Sequence, residues 1–141
     1  MSRSSAGLGH CILSHGFESG PDATKVAALA TEAAQRGPLV LAGSSLGAYI
    51  SARVSLEVPI VALFLMAPPT TMGHLQGLDA APVPISIIHG WDDELIPAQQ
   101  VVDWAHARRA RLLLVNDTHR LSEHVEASAE AFAQLLQSLK P

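Results

Sequence analysis

Short, continuously apolar runs alternate along the chain with longer segments whose apolar residues recur every third or fourth position. The runs are GHCILS (9–14), PLVLAG (38–43), IVALFLMA (60–67), VPISIIHG (83–90) and RLLLVN (111–116). Their length and their lack of in-out alternation predict strands buried on both faces of a sheet. Between the first two, PDATKVAALATEAAQRG sets Val26, Leu29, Ala30 and Ala33 on one stripe, with Asp22 near the start and Gly37-Pro38 as a stop, which predicts a helix. Further helices are predicted from about Leu46 to Glu57, Pro97 to Arg109 and Leu121 to Leu139. In the last, Val125, Ala129, Phe132, Leu136 and Leu139 make the expected buried stripe.

Strict alternation of strand and helix implies parallel strands, because a parallel pair needs a crossover that returns the chain to the same end of the sheet. The expected fold is a three-layer α/β/α domain with a mostly parallel sheet of about five strands, spanning residues 1–141. A chain of this length buries roughly 68% of its unfolded surface, enough for one core. The longest irregular stretch, 67–82, follows the third strand at the carboxyl edge, where open α/β sheets bind ligands.

Composition removes several classes of partner. The chain is 48% hydrophobic, yet no apolar run approaches the ~20 residues that span a bilayer, so no membrane partner is expected. Thirteen acidic residues against nine basic ones give a net charge of −4, the wrong sign for nucleic acid, and no basic cluster exceeds ARRAR (107–111). Cys11 is the single cysteine and lies in an apolar run, where a buried small hydrophobe is expected. The N-terminal MSRSSAGLGHCIL is a poor secretory signal, so a cytoplasmic location is expected.

Against that frame, Gly43-Ser44-Ser45-Leu46-Gly47 fits G-x-S-x-G between a strand and a helix, with Ser45 at its centre. A serine hydroxyl is a weak nucleophile and needs a general base, which in turn needs a carboxylate to orient it. The fourth run ends in IHGWDDELIP, placing Asp92, Asp93 and Glu94 just past a strand, and the fifth ends in VNDTHRLSEH, placing His119 just past another. Serine, aspartate and histidine thus follow three strands in that order.

These stretches resemble the α/β-hydrolase superfamily, and small lidless carboxylesterases in particular. LSHGFESGP resembles its oxyanion segment, GSSLGAY its nucleophile elbow, HGWDDELIP its acid loop and NDTHRL its histidine loop. The resemblance implies Ser45 as nucleophile, Asp93 as the acid with Asp92 as the alternative, and His119 as the base. His124 is expected one turn inside the last helix. The oxyanion hole would use the backbone N–H groups of Leu46 and Phe17, while Glu18 and Trp91 would border the mouth. His15 and His89, each followed by glycine at a strand end, are expected to make structural hydrogen bonds.

The chain departs from the family in lacking room for a further strand and helix between His15-Gly16 and the elbow, and for two upstream strands. The expectation is therefore a truncated α/β-hydrolase fold. If its strands run in sequential order, right-handed crossovers place the connecting helices on one face and leave the other mostly to the last helix, a surface suited to a homodimer. The implied activity is hydrolysis of short-chain or exposed acyl esters, or thioesters, by a Ser-Asp-His triad on a small-molecule substrate. A non-catalytic binding protein that retains a truncated hydrolase core is the alternative. No cofactor and no metal are expected: His119 and His124 are five apart and do not share a helix face, and no H-E-x-x-H is present.

Overall fold

Each of the apolar runs forms a strand. The computed structural model describes residues 9–14, 23–71, 73 and 76–139. Along them run β1 (His10–Ser14), α1 (Thr24–Ala34), β2 (Leu39–Ser44), α2 (Leu46–Ser55), β3 (Ala62–Met66), β4 (Ile85–Gly90), α3 (Ala98–Arg108), β5 (Arg111–Val115) and α4 (Val125–Ser138). All neighbouring strands are parallel, and their spatial order is their order in the chain, β1-β2-β3-β4-β5. The register sets His10 beside Leu39, Val40 beside Ala62, Leu63 beside Ile85 and Ser86 beside Arg111.

Sequential order with right-handed crossovers puts the connecting helices on one side, and the packing follows. Leu39, Leu41, Leu63, Leu65, Ile85 and Ile87 meet Ala30 of α1, Ala48 and Ala52 of α2, and Val101 and Ala105 of α3 in the larger core. The opposite pleat, with Val40, Ala42, Phe64 and Ile88, is covered by α4 through Leu135, Ala131 and Phe132. The result is a three-layer α/β/α arrangement. Segment 67–82 forms no helix among its described residues but is tied down. Leu78 and Ala80 are buried in the larger core, the Tyr49 hydroxyl donates to the Gln76 carbonyl at 2.8 Å, and the Trp104 indole N–H donates to the Leu78 carbonyl at 2.9 Å.

Three expectations need correction. Burial on both faces holds for β2, β3 and β4 but not for the edges, since β5 is half open and Leu13 of β1 is 65% exposed. Alternation points Cys11 and Leu13 to the α4 side, and α4 lies over β3 and β4, so Cys11 is exposed rather than buried. Next, α1 leaves Leu29 exposed and packs through Val26, Ala27, Ala30, Ala33 and Ala34, because alanines let the helix approach its neighbours closely. Finally, the last helix begins at Val125, not at Leu121: Leu121 is buried with φ 58°, a left-handed residue that cannot continue a helix turn. The helix packs through buried Leu135 with Ala127, Ala131, Phe132 and Leu139 half-buried beside it, so Phe132 and Leu139 face the sheet as expected while Val125, Ala129 and Leu136 face outward. Alanines at 127 and 131 bring the helix down onto the sheet, and the Phe132 ring meets Phe64 at 5.2 Å between centroids.

Candidate active site

The turn between β2 and α2 is built by close approach. A β-carbon on Gly43 would lie 2.3 Å from the Gly47 carbonyl oxygen, so only glycine lets the strand pass so near the helix start. Ser45 at the apex has φ 55° and ψ −122°, a conformation that L side chains rarely adopt. Its amide donates to the Met66 carbonyl at 2.8 Å, pinning the apex to the end of β3. The side chain makes no helix-capping bond. Instead the Ser45 hydroxyl lies 2.8 Å from His119 Nε2.

His119 stands on the loop after β5, with its side chain 12% exposed. Its Nδ1 lies 2.7 Å from Asp93 Oδ2. A carboxylate only accepts, so Nδ1 carries the hydrogen and Nε2 is left free to accept the Ser45 proton. Asp93 is fully enclosed, and its other oxygen accepts the Leu95 and Ile96 amides at 2.8 and 2.7 Å. The carboxylate is therefore fixed by the turn that leads into α3. The Glu94 carboxylate accepts the His119 backbone N–H at 3.3 Å.

One further residue, Asp117, organises these loops. The Asp117 carboxylate accepts the Thr118 amide at 2.7 Å, the Glu123 amide at 2.9 Å and His124 Nδ1 at 3.0 Å, so one side chain closes the loop that carries His119. The His124 bond, then these two amides, hold the Asp117 carboxyl below its ordinary range despite its desolvation. The Asp117 carbonyl accepts the Asp92 amide at 3.0 Å and joins the acid loop to the histidine loop.

Of the expected site residues, Ser45, His119 and Asp93 are thus brought together at the carboxyl edge of the sheet. Asp92 is exposed and contributes its backbone. His124 is not inside the last helix but just ahead of it, turned to Asp117 and not to the serine. Leu46 opens α2, where the first amides have no partner within the helix. Trp91 is 54% exposed after β4. Phe17, Glu18 and His15-Gly16 lie outside the described residues. Sequence spacing does not single out Asp117, nor Gly90, whose missing β-carbon lets the Asp117 carbonyl approach the end of β4. The Asp-Thr-His spelling, an aspartate able to bond the backbone just after itself, was the available signal. A groove of about 270 Å³ lined by Thr31, Ala34, Gln35, Glu57, Val58 and Pro59 lies at the far ends of α1 and α2, away from the three side chains.

The chain is similar to several solved structures. A protein of Xanthomonas campestris pv. campestris, assigned to the hydrolases of the alpha/beta superfamily, is 50% identical over 93% of this chain and 99% of its own, with a TM-score of 0.89. A serine hydrolase without a lid from Xanthomonas campestris matches 89% of this chain and 62% of its own at 21% identity and a TM-score of 0.70. An esterase of Pyrococcus furiosus matches 92% of this chain and 81% of its own at 12% identity and a TM-score of 0.78. The last two share the fold. No family model and no curated protein matches the chain.

Proposed function

The chain belongs to the α/β-hydrolase superfamily, and we propose that it is a serine hydrolase cleaving short-chain or exposed acyl esters, or thioesters, through an acyl-enzyme on Ser45. The observation that carries this reading is the unbroken line of hydrogen bonds from the Ser45 hydroxyl through His119 to the enclosed Asp93 carboxylate. In this reading His119 Nε2 takes the hydroxyl proton as Ser45 Oγ bonds to the carbonyl carbon. Asp93 orients the imidazole and stabilises the imidazolium that forms. The Leu46 amide, at the positive end of α2, donates to the developing oxyanion, and Phe17 is the second candidate donor. His119 then returns its proton to the leaving alcohol or thiol as the ester bond breaks. Water, deprotonated by the same nitrogen, releases the acid and restores Ser45. The longest connection, 67–82, is bonded back onto α2 and α3, which favours an uncovered site and hence acyl groups that are short or exposed.

The test pairs a serine-directed fluorophosphonate probe with turnover of a short-chain nitrophenyl ester, on wild type, Ser45→Ala and His119→Ala. Labelling and turnover by wild type, with kcat lowered by about six orders of magnitude in both variants, is the expected result. A folded wild type that neither labels nor turns over, or a Ser45→Ala variant as active as wild type, overturns the reading.

A further inference from the structure

His89, the penultimate residue of β4, has 0% exposure and lies on the same pleat as Ile85 and Ile87 in the larger core. Its Nε2 is 2.9 Å from the Ile96 carbonyl oxygen and 3.4 Å from Asp93 Oδ2. Both facing atoms only accept, so Nε2 carries the hydrogen. Nδ1, at the other side of the ring, is buried with no hydrogen-bond partner among the described residues. Leaving such an acceptor unmet is costly. An apolar side chain of similar size would avoid that cost, so packing alone does not account for histidine here.

The other end of the ring does. Ile96 is held from both sides: its amide donates to Asp93 Oδ1, and its carbonyl accepts from His89. Asp93 Oδ1 is fixed by the Leu95 and Ile96 amides, but those bonds leave the carboxylate free to pivot about that oxygen. The atom that faces His119 is Oδ2, and the His89 N–H borders that same oxygen. We propose that His89 is a positioning residue, which holds the acid turn closed and sets both the direction and the charge of Asp93 Oδ2 toward His119. This inference rests on the serine mechanism proposed above.

The charge effect has a definite sign. A donor bordering Oδ2 draws off part of its negative charge. Without it, the full charge falls on His119 and favours the imidazolium, so the free base forms only at higher pH. Among the described residues, and apart from His89, the titratable groups bonded within this pair are Asp93 itself, His119 on the β5 loop and Glu94, whose carboxylate accepts the His119 amide. None of them changes in the variants below.

The experiment compares wild type, Ser45→Ala, His89→Phe and His89→Gln in hydrolysis of a short-chain nitrophenyl ester across pH, with urea midpoints to confirm folding. Phe keeps a ring without a donor, whereas Gln can present an N–H close to the Nε2 position. His89→Phe is expected to lower kcat about tenfold, the rate equivalent of one hydrogen bond to a charged group, with KM within about twofold. The acid limb of its kcat/KM profile should move to higher pH, and His89→Gln should recover most of both. A His89→Phe enzyme with wild-type kcat, or with lowered kcat and an unmoved acid limb, overturns the positioning role while a dead Ser45→Ala leaves the serine mechanism standing. An active Ser45→Ala removes the mechanism and this inference with it. If His89→Phe does not fold, imidazole NMR of wild type decides: an Nε2-bound hydrogen on His89 whose shift follows the titration of His119 is expected, and one indifferent to it overturns the proposal.

Discussion

Gly90 lies so close beneath Asp117 that a β-carbon at position 90 would sit 2.3 Å from the Asp117 carbonyl oxygen and 2.8 Å from that of Thr118. The end of β4 and the loop after β5 are therefore in backbone contact, and Asp93 and His119 hang from those two segments. Both obstructing atoms belong to the main chain and cannot rotate away. Gly90→Ala is expected to cost about 3 kcal/mol in urea unfolding and to reduce ester turnover more than tenfold, because the two loops separate. A variant with wild-type midpoint and turnover would show that the close approach is not needed.

Ser45 carries strain that glycine would relieve. Ordinarily Gly in place of Ala loses roughly 0.5–1 kcal/mol through chain entropy, but a side chain held at φ 55° and ψ −122° costs on the order of 1–3 kcal/mol. Ser45→Gly should therefore be more stable than Ser45→Ala by about 1 kcal/mol, a reversal of the usual order, with both inactive. Thermal unfolding of the pair measures it, and the usual order would mean that the apex is relaxed.

Asp117 ties stability to pH. Its carboxyl is held below the ordinary range, first by the His124 bond and then by the Thr118 and Glu123 amides. A depressed folded value means that this contribution is fully present above the unfolded aspartate pKa of ~3.9 and is lost as pH falls through the folded value. Asp117→Asn should thus be clearly less stable than wild type at neutral pH, and the gap between their urea midpoints should narrow on acidification below about pH 4. A gap independent of pH would contradict the assignment.

The orientation of α4 gives a prediction on the core. Leu135 is 4% exposed against Phe64 and its neighbours, whereas Val125 is 67% exposed. Leu135→Ala should cost roughly 2–4 kcal/mol, and Val125→Ala no more than about 0.5 kcal/mol. Comparable losses would return α4 to the stripe that its apolar spacing suggests.

That stripe shows where sequence stops being sufficient. Val125, Ala129, Phe132, Leu136 and Leu139 form a proper helical face, but so do Ala127, Ala131 and Leu135, about one residue round the helix, and of the first set only Phe132 and Leu139 reach the core. Spacing ranks both alike. The choice falls to how closely the helix can approach the sheet, which depends on the small residues at 127 and 131. The edge strands repeat the lesson, since Cys11 and Leu13 read as core and are left bare by the position of α4 across the sheet.

By itself the sequence determined the alternation of strand and helix, the parallel sheet and the three loops bearing Ser45, Asp93 and His119. Each of those follows from local order: apolar runs, glycines at sharp turns, and polar residues just past strand ends. Only the tertiary structure decided that Asp93 and not Asp92 faces His119, that His124 turns away to Asp117, and that His89 lies against the acid turn. Adjacent residues in a turn point in different directions, and which one meets a distant loop is set by backbone contacts such as Gly90 on Asp117, which no spacing along the chain records.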